Sequence, residues 1–121
     1  SLLTQGRQRL QDGLSVVIFP EGTIPEEQIP QMIPFKNGAF RLAKNLNVPV
    51  LPLTFTQNFH LFSDPTQILG PAHPGVVEVH IHPYISVEEV AASSIEEISD
   101  KCFDLIEAPI RLAHPELFKK L

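Results

Sequence analysis

The chain is 121 residues long, about one domain, and its 43% hydrophobic content with both signs of charge supports a packed core rather than a disordered segment. A net charge of −5 and a pI near 5.4 leave no basic stripe for nucleic acid, and no apolar run reaches the ~18 residues of a membrane span or forms a signal peptide. The single cysteine, Cys102, excludes an internal disulfide and a cysteine-based zinc site, and fits a reducing compartment.

The chain opens on Ser1 and enters a helical pattern at once, which reads as a segment excised from a longer protein. Leu2, Leu3, Gly6, Leu10 and Leu14 keep helical spacing and Asp12-Gly13 stops it, which predicts a first helix over 2–12. Val16-Val17-Ile18-Phe19, bounded by Gly13 and Pro20, reads as a strand buried on both faces and implies a parallel sheet. Pro25, Pro30 and Pro34 make residues 24–35 a loop, because each ring removes a backbone donor. From Asn37, the residues Ala39, Phe40, Leu42, Ala43 and Leu46 form a short amphipathic helix closed by Asn47. A second strand is expected from Val48 to Phe55, short or bulged around Pro49 and Pro52. Residues 56–75 form a long connection. Val77, Val79 and Ile81 then alternate with Glu78, His80 and His82 as a strand with one wet face. Glu88-Glu89 and Glu96-Glu97 read as solvated first turns, and Ser94 caps a helix with the stripe Ile95, Ile98, Cys102, Leu105 and Ile106, ending before Pro109. His114-Pro115-Glu116 starts a last turn. The alternation of helix and strand gives an α/β fold with a partial, mostly parallel sheet and flanking helices.

In such a fold, ligands bind beyond the carboxyl ends of the strands, where Glu21, Gly22 and Thr23 follow the first one. Gly22 lets the backbone turn sharply or approach a ligand, Thr23 offers a hydroxyl, and Glu21 can accept a hydrogen bond from an alcohol or pair with a cation. Lys36-Asn37-Gly38 opens the next helix, whose free N–H groups and dipole favour an anion, so the local chemistry points to a phosphate beside an alcohol. A structural reading stands beside this one: a Glu21–Lys36 ion pair, a capping Asn37 and a turn at Gly22. The apolar loop residues Ile24, Ile29, Met32, Ile33 and Phe35 either pack under the loop or meet an acyl chain or bilayer.

Phe19-Pro20-Glu21-Gly22-Thr23, then Phe35-Lys36-x-Gly38-Ala39-Phe40-x-Leu42-Ala43, then Val48-Pro49-Val50-Leu51-Pro52-Leu53 resemble, in order and spacing, the third and fourth blocks of the glycerolipid acyltransferase family that contains the 1-acylglycerol-3-phosphate acyltransferases. The resemblance covers residues 1–86, with 87–121 as a carboxyl-terminal helical region. It implies that the 121 residues are a single carboxyl-terminal portion of a larger acyltransferase domain. It also implies transfer of a fatty acyl group from acyl-CoA or acyl carrier protein to the hydroxyl of a lysophospholipid, without further cofactor, at the cytoplasmic face of a membrane. Glu21, Gly22 and Thr23 would line the glycerol-phosphate site, Lys36 and Gly38 would stand near the phosphate, and Pro49 and Pro52 would support the pocket.

The pattern departs from the family at two places. Ile24 stands where an arginine usually helps to hold phosphate. The catalytic pair, a His as general base and an Asp that orients it with four residues between them, is not found: His60 and Asp64 are one residue too close, and His73 with Glu78 has the spacing but lies after the other blocks. That pair, and the part that reaches the membrane, is expected upstream. The isolated chain is then expected to be inactive, with an exposed sheet edge or apolar face covered by self-association. A metal on Glu78, His80 and His82 with His60 or His73 is the minor alternative to plain exposed alternation, and Cys102 is a core residue. A non-catalytic lipid- or phosphate-binding module is the alternative to an enzyme.

Overall fold

Helix α1 (Leu2–Gln11) starts where the Ser1 hydroxyl accepts the Thr4 N–H, and it ends ahead of Gly13 at φ +82°, a left-handed residue that stops the helix. The computed structural model describes residues 1–23, 31–58 and 74–118. Helix α2 (Gly38–Leu46) ends on Asn47, whose φ of 52° and ψ of 51° are the left-handed values that asparagine tolerates better than most residues. Helix α3 (Val87–Ala92) and helix α4 (Ile95–Ala113) start on Ser86 and Ser94. The second start is a full capping box, with the Glu97 N–H donating to the Ser94 hydroxyl and the Ser94 N–H to the Glu97 carboxylate. A single 3₁₀ turn, Pro115–Leu117, closes the described chain.

Helices α2, α3 and α4 share one core. Phe40 and Ala43 of α2, Ile85, Val90 of α3, and Ile98 and Cys102 of α4 are buried together, with Phe35, Val48, Val50, Ile95 and Ile106 packed against them. Burying a side chain such as Ile98 stabilises the fold by about 1.5–3 kcal/mol. Cys102 sits on this stripe, and burial pushes its thiol up to about 11, so it stays protonated and unreactive. Lys44 ties α2 to α3 by donating to the Ala91 and Ser93 carbonyls at the carboxyl end of α3.

Strands β1 (Leu53–Phe55) and β2 (Val79–Ile81) pair in the register Leu53↔Ile81, Thr54↔His80 and Phe55↔Val79, and a bridge between Val50 and Ile85 extends the ladder. The pairing is antiparallel, which corrects the expectation of a parallel sheet. The strand expected over Val48–Phe55 contracts to this bridge and three residues, since prolines 49 and 52 donate nothing to a ladder. Val16–Phe19 forms no regular element and pairs with no strand among the described residues, and Val17 and Phe19 are 77% and 75% exposed rather than buried on both faces. A β-branched run has the preference for a buried strand, but the neighbours must come from elsewhere.

The alternation over β2 holds, yet neither face is dry: the apolar residues are exposed and the two histidines opposite are half-buried. Glu78, His80 and His82 face α4, lining a groove with Leu105, Ala108, Pro109, Leu112 and Ala113, while Val79 and Ile81 are exposed. Helix α4 also continues through Pro109 instead of ending before it. Proline removes the donor that the Leu105 carbonyl would otherwise take, and the neighbouring Ile106 carbonyl accepts the Thr54 hydroxyl at 2.8 Å, tying the helix to β1.

Candidate functional site

The segment after Phe19 turns sharply: the Gly22 N–H donates to the Phe19 carbonyl at 3.1 Å, and Gly22 takes φ +69°. The strap of residues 31–36 lies alongside, its Lys36 N–H donating to the Pro20 carbonyl at 2.8 Å. The Lys36 side chain runs over Gly22 so closely that a Cβ there would stand 2.9 Å from Nζ, 3.0 Å from Cδ and 3.1 Å from Cε. Only a glycine leaves that room. An exposed ammonium is thereby set against the turn that carries Thr23, whose side chain is also exposed.

Half-buried Glu21 accepts the Ile33 N–H on Oε2 at 3.0 Å. Burial raises its pKa above the usual carboxylate value, and the Ile33 N–H partly offsets this by favouring the charged form. Among the ion pairs of the described residues, none joins Glu21 to Lys36, so the structural ion pair is not formed. Asn37 occupies the N-cap of α2 in a helical conformation and its side chain makes no capping hydrogen bond. The first N–H groups of α2, immediately after Lys36, are therefore not taken by that side chain.

The raised pKa has a sign for stability. Glu21 binds its proton more tightly in the folded than in the unfolded chain, so its contribution is fully present at acid pH and is lost as pH rises through the window just above 4.5. Glu21→Gln keeps an acceptor for Ile33 without the buried charge. The stability advantage of the Gln variant over the parent should therefore grow as pH is raised from about 4 to 7, measured by urea unfolding at each pH. A constant difference over that range would contradict the assignment.

The other expected positions separate from this cluster. Half-buried Gly38 packs against α1, where a Cβ would stand 3.4 Å from both Leu3 methyl carbons, so its small size serves the approach of the two helices. Pro52 is buried and its carbonyl accepts the His82 N–H at 3.1 Å, while Pro49 is exposed beside the Val50 bridge. Both belong to the start of the sheet. Ile24, Ile29, His60, Asp64 and His73 lie outside the described residues. His80 meets Glu78 at 2.6 Å, which holds the Glu78 carboxyl below its usual range, whereas His82 meets Thr54 at 2.7 Å. Among the described residues no group of three His, Cys, Asp or Glu side chains is arranged to hold a metal ion.

Sequence reading missed Gln31, whose side-chain amide donates to the Leu117 carbonyl at 3.0 Å, and Phe103, whose ring meets Phe35 edge-on with centroids 5.1 Å apart. Partners 86 residues apart leave no local signal. Met32 and Ile33, half-buried, are neither fully packed nor bare. Among the described residues no helix is long and apolar enough to cross a membrane.

A family model described as Acyltransferase matches residues 1–56. The chain is similar to the 1-acyl-sn-glycerol-3-phosphate acyltransferase of Pseudomonas aeruginosa, 34% identical over 124 aligned positions that cover 95% of this chain and 46% of that protein. It is 29% identical to the Escherichia coli enzyme of the same name, over 80% of this chain and 37% of that one. The alpha form from Mus musculus is 30% identical over 75% of this chain and 30% of its own length. The chain thus spans less than half the length of these relatives. No solved structure matches at a significant level.

Proposed function

As this chain belongs to the glycerolipid acyltransferase family, we propose that the intact protein acylates the hydroxyl of lysophosphatidic acid or a similar lysophospholipid, and that this chain supplies the wall of the glycerol-phosphate site. The acyl donor is acyl-CoA or acyl carrier protein, and no other cofactor is needed. A His held by an Asp, in the part of the protein that precedes this chain, takes the proton from the acceptor hydroxyl as its oxygen attacks the thioester carbonyl and the thiolate leaves. That same part carries the protein to the cytoplasmic face of the membrane, and the exposed apolar residues of this chain favour self-association when it is alone.

The observation that carries the reading is the Lys36 ammonium laid against Gly22, at the head of a helix whose first N–H groups the Asn37 side chain does not cap. An ammonium and free helical N–H groups are the two donors a phosphate dianion favours. Thr23 stands next to them for a polar atom of the glycerol, and Glu21 builds the wall. Carrying this role to Gly38, Pro49 and Pro52 gives them a supporting part, through α1 packing and the sheet start.

Ile24 in the place of the usual arginine favours a second reading, a binding module that keeps the pocket without the chemistry. Titration of the isotopically labelled chain with glycerol 3-phosphate tests the site. Amide shifts should concentrate at Gly22, Thr23 and Lys36–Phe40 and should weaken at least about tenfold in Lys36→Ala. Shifts centred elsewhere, or unaltered by that substitution, would place the phosphate at another site. Acyl transfer by the intact protein then separates enzyme from binding module.

A further inference from the structure

We propose that Glu21 is a positioning residue: its carboxylate and the carboxyl-terminal turn clamp the strap 31–36 from two sides and so set where the Lys36 ammonium stands. This rests on the reading of Lys36 as the phosphate-binding cation. The strap has no ladder of its own. Its Ile33 N–H goes to Glu21, its Lys36 N–H to the Pro20 carbonyl, and its Gln31 side chain to the Leu117 carbonyl. Between these points Phe35 stacks on Phe40 with centroids 6.2 Å apart and meets Phe103 of α4 edge-on. The turn before α2 thus holds one side of the strap, and α4 with its terminal 3₁₀ turn holds the other.

Two physical arguments favour this role over direct contact with an acceptor. A carboxylate free on the wall of a phosphate site would repel the dianion, whereas one engaged by a main-chain N–H has its charge already partly met. The Glu21–Ile33 bond also lies three residues before Lys36, on a strap whose only other described main-chain hydrogen bond is Lys36 N–H to Pro20, so loss of Glu21 frees the approach to Lys36 directly. The matched part of the family model ends at residue 56, yet α4 and the 3₁₀ turn, beyond it, reach back to the strap. On this view the carboxyl-terminal helix is a strut for the site rather than an appendage.

The test uses the labelled 121-residue chain and three readouts: exchange of the Ile33 amide, the nuclear Overhauser contact between Lys36 Hε and Gly22 Hα, and affinity for glycerol 3-phosphate. In Glu21→Ala the Ile33 amide should exchange at least about tenfold faster, the Lys36–Gly22 contact should fade, and affinity should fall roughly fivefold or more. Glu21→Gln, which still offers an oxygen to Ile33, should stay within about twofold of the parent in all three. Gln31→Ala, at the strap's other end and exposed enough to leave the core intact, should weaken the same contact and lower affinity about two- to fivefold. The proposal is overturned if Glu21→Ala leaves Ile33 exchange and the Lys36–Gly22 contact unchanged. It is equally overturned if Glu21→Gln is as damaging as Glu21→Ala, because the charge itself would then meet the ligand. If no form of the chain binds glycerol 3-phosphate, the phosphate reading of Lys36 fails, and the first two readouts still decide the clamp.

Discussion

Gly22→Ala is expected to lower affinity for glycerol 3-phosphate by roughly tenfold while costing the fold only about 1–2 kcal/mol. The two effects have different causes. The stability loss comes from the backbone, because a Cβ at φ +69° meets the following carbonyl. The binding loss comes from Lys36, whose Nζ, Cδ and Cε would lie 2.9–3.1 Å from the new carbon. A lysine side chain is flexible, so it swings aside at little cost to the fold, and the ammonium leaves its place over the turn. Gly13→Ala isolates the first effect, since Gly13 has φ +82° but nothing within 4 Å of the place a methyl would take. Urea unfolding should show similar losses for both variants, and only Gly22→Ala should lose ligand affinity. Equal affinity losses in the two, or none in either, would detach Gly22 from the site.

The parts of this fold that were legible in the sequence are those fixed by short-range chemistry. Ser94 with Glu97 announces the start of α4, Asn47 the end of α2, and Asp12-Gly13 the end of α1, because each satisfies helix-end groups within a few residues. The cluster of Glu21, Gly22 and Lys36 was legible too, as linked motifs within sixteen residues of chain, and the structure brings these three together. What was not legible depends on distant partners. A strand pattern over Val16–Phe19 records a preference for burial, and no strand among the described residues satisfies it. Alternation over β2 tells which residues share a face, but α4 decides which face meets a helix, and it leaves His80 and His82 half-buried beside it with Glu78 exposed. Pro109 reads as a helix stop because it removes one donor, yet α4 runs on to Ala113 and is held on the sheet by packing and by the Thr54 hydroxyl at the Ile106 carbonyl. Glu21 read as a group for a substrate alcohol for the same reason: Ile33, twelve residues on, already occupies one of its oxygens.

Thr54→Val should destabilise the described chain by about 1–3 kcal/mol. Thr54 is 1% exposed, and its hydroxyl joins β1 to β2 and to α4 at once, 2.7 Å from His82 Nε2 and 2.8 Å from the Ile106 carbonyl. A carbonyl can only accept, so the single hydroxyl hydrogen goes to Ile106, and His82 Nε2 must carry the hydrogen that points at Thr54. Burial depresses the His82 pKa, in keeping with a neutral ring in this place. Valine keeps the volume and β-branching of threonine, so strand geometry and packing are preserved and only the hydroxyl is lost. The His82 N–H then loses its acceptor, and the Ile106 carbonyl keeps only its helical position four residues before Ile110 and loses its side-chain donor; an orphaned group costs about 1–3 kcal/mol, less where water reaches it. Thr54→Ser is the control, because it keeps the hydroxyl and removes one methyl, for about 0.8 kcal/mol. Urea unfolding of the two variants should rank valine well below serine. The reverse order would mean that the methyl, and not the hydroxyl bridge between sheet and helix, holds α4 on the sheet.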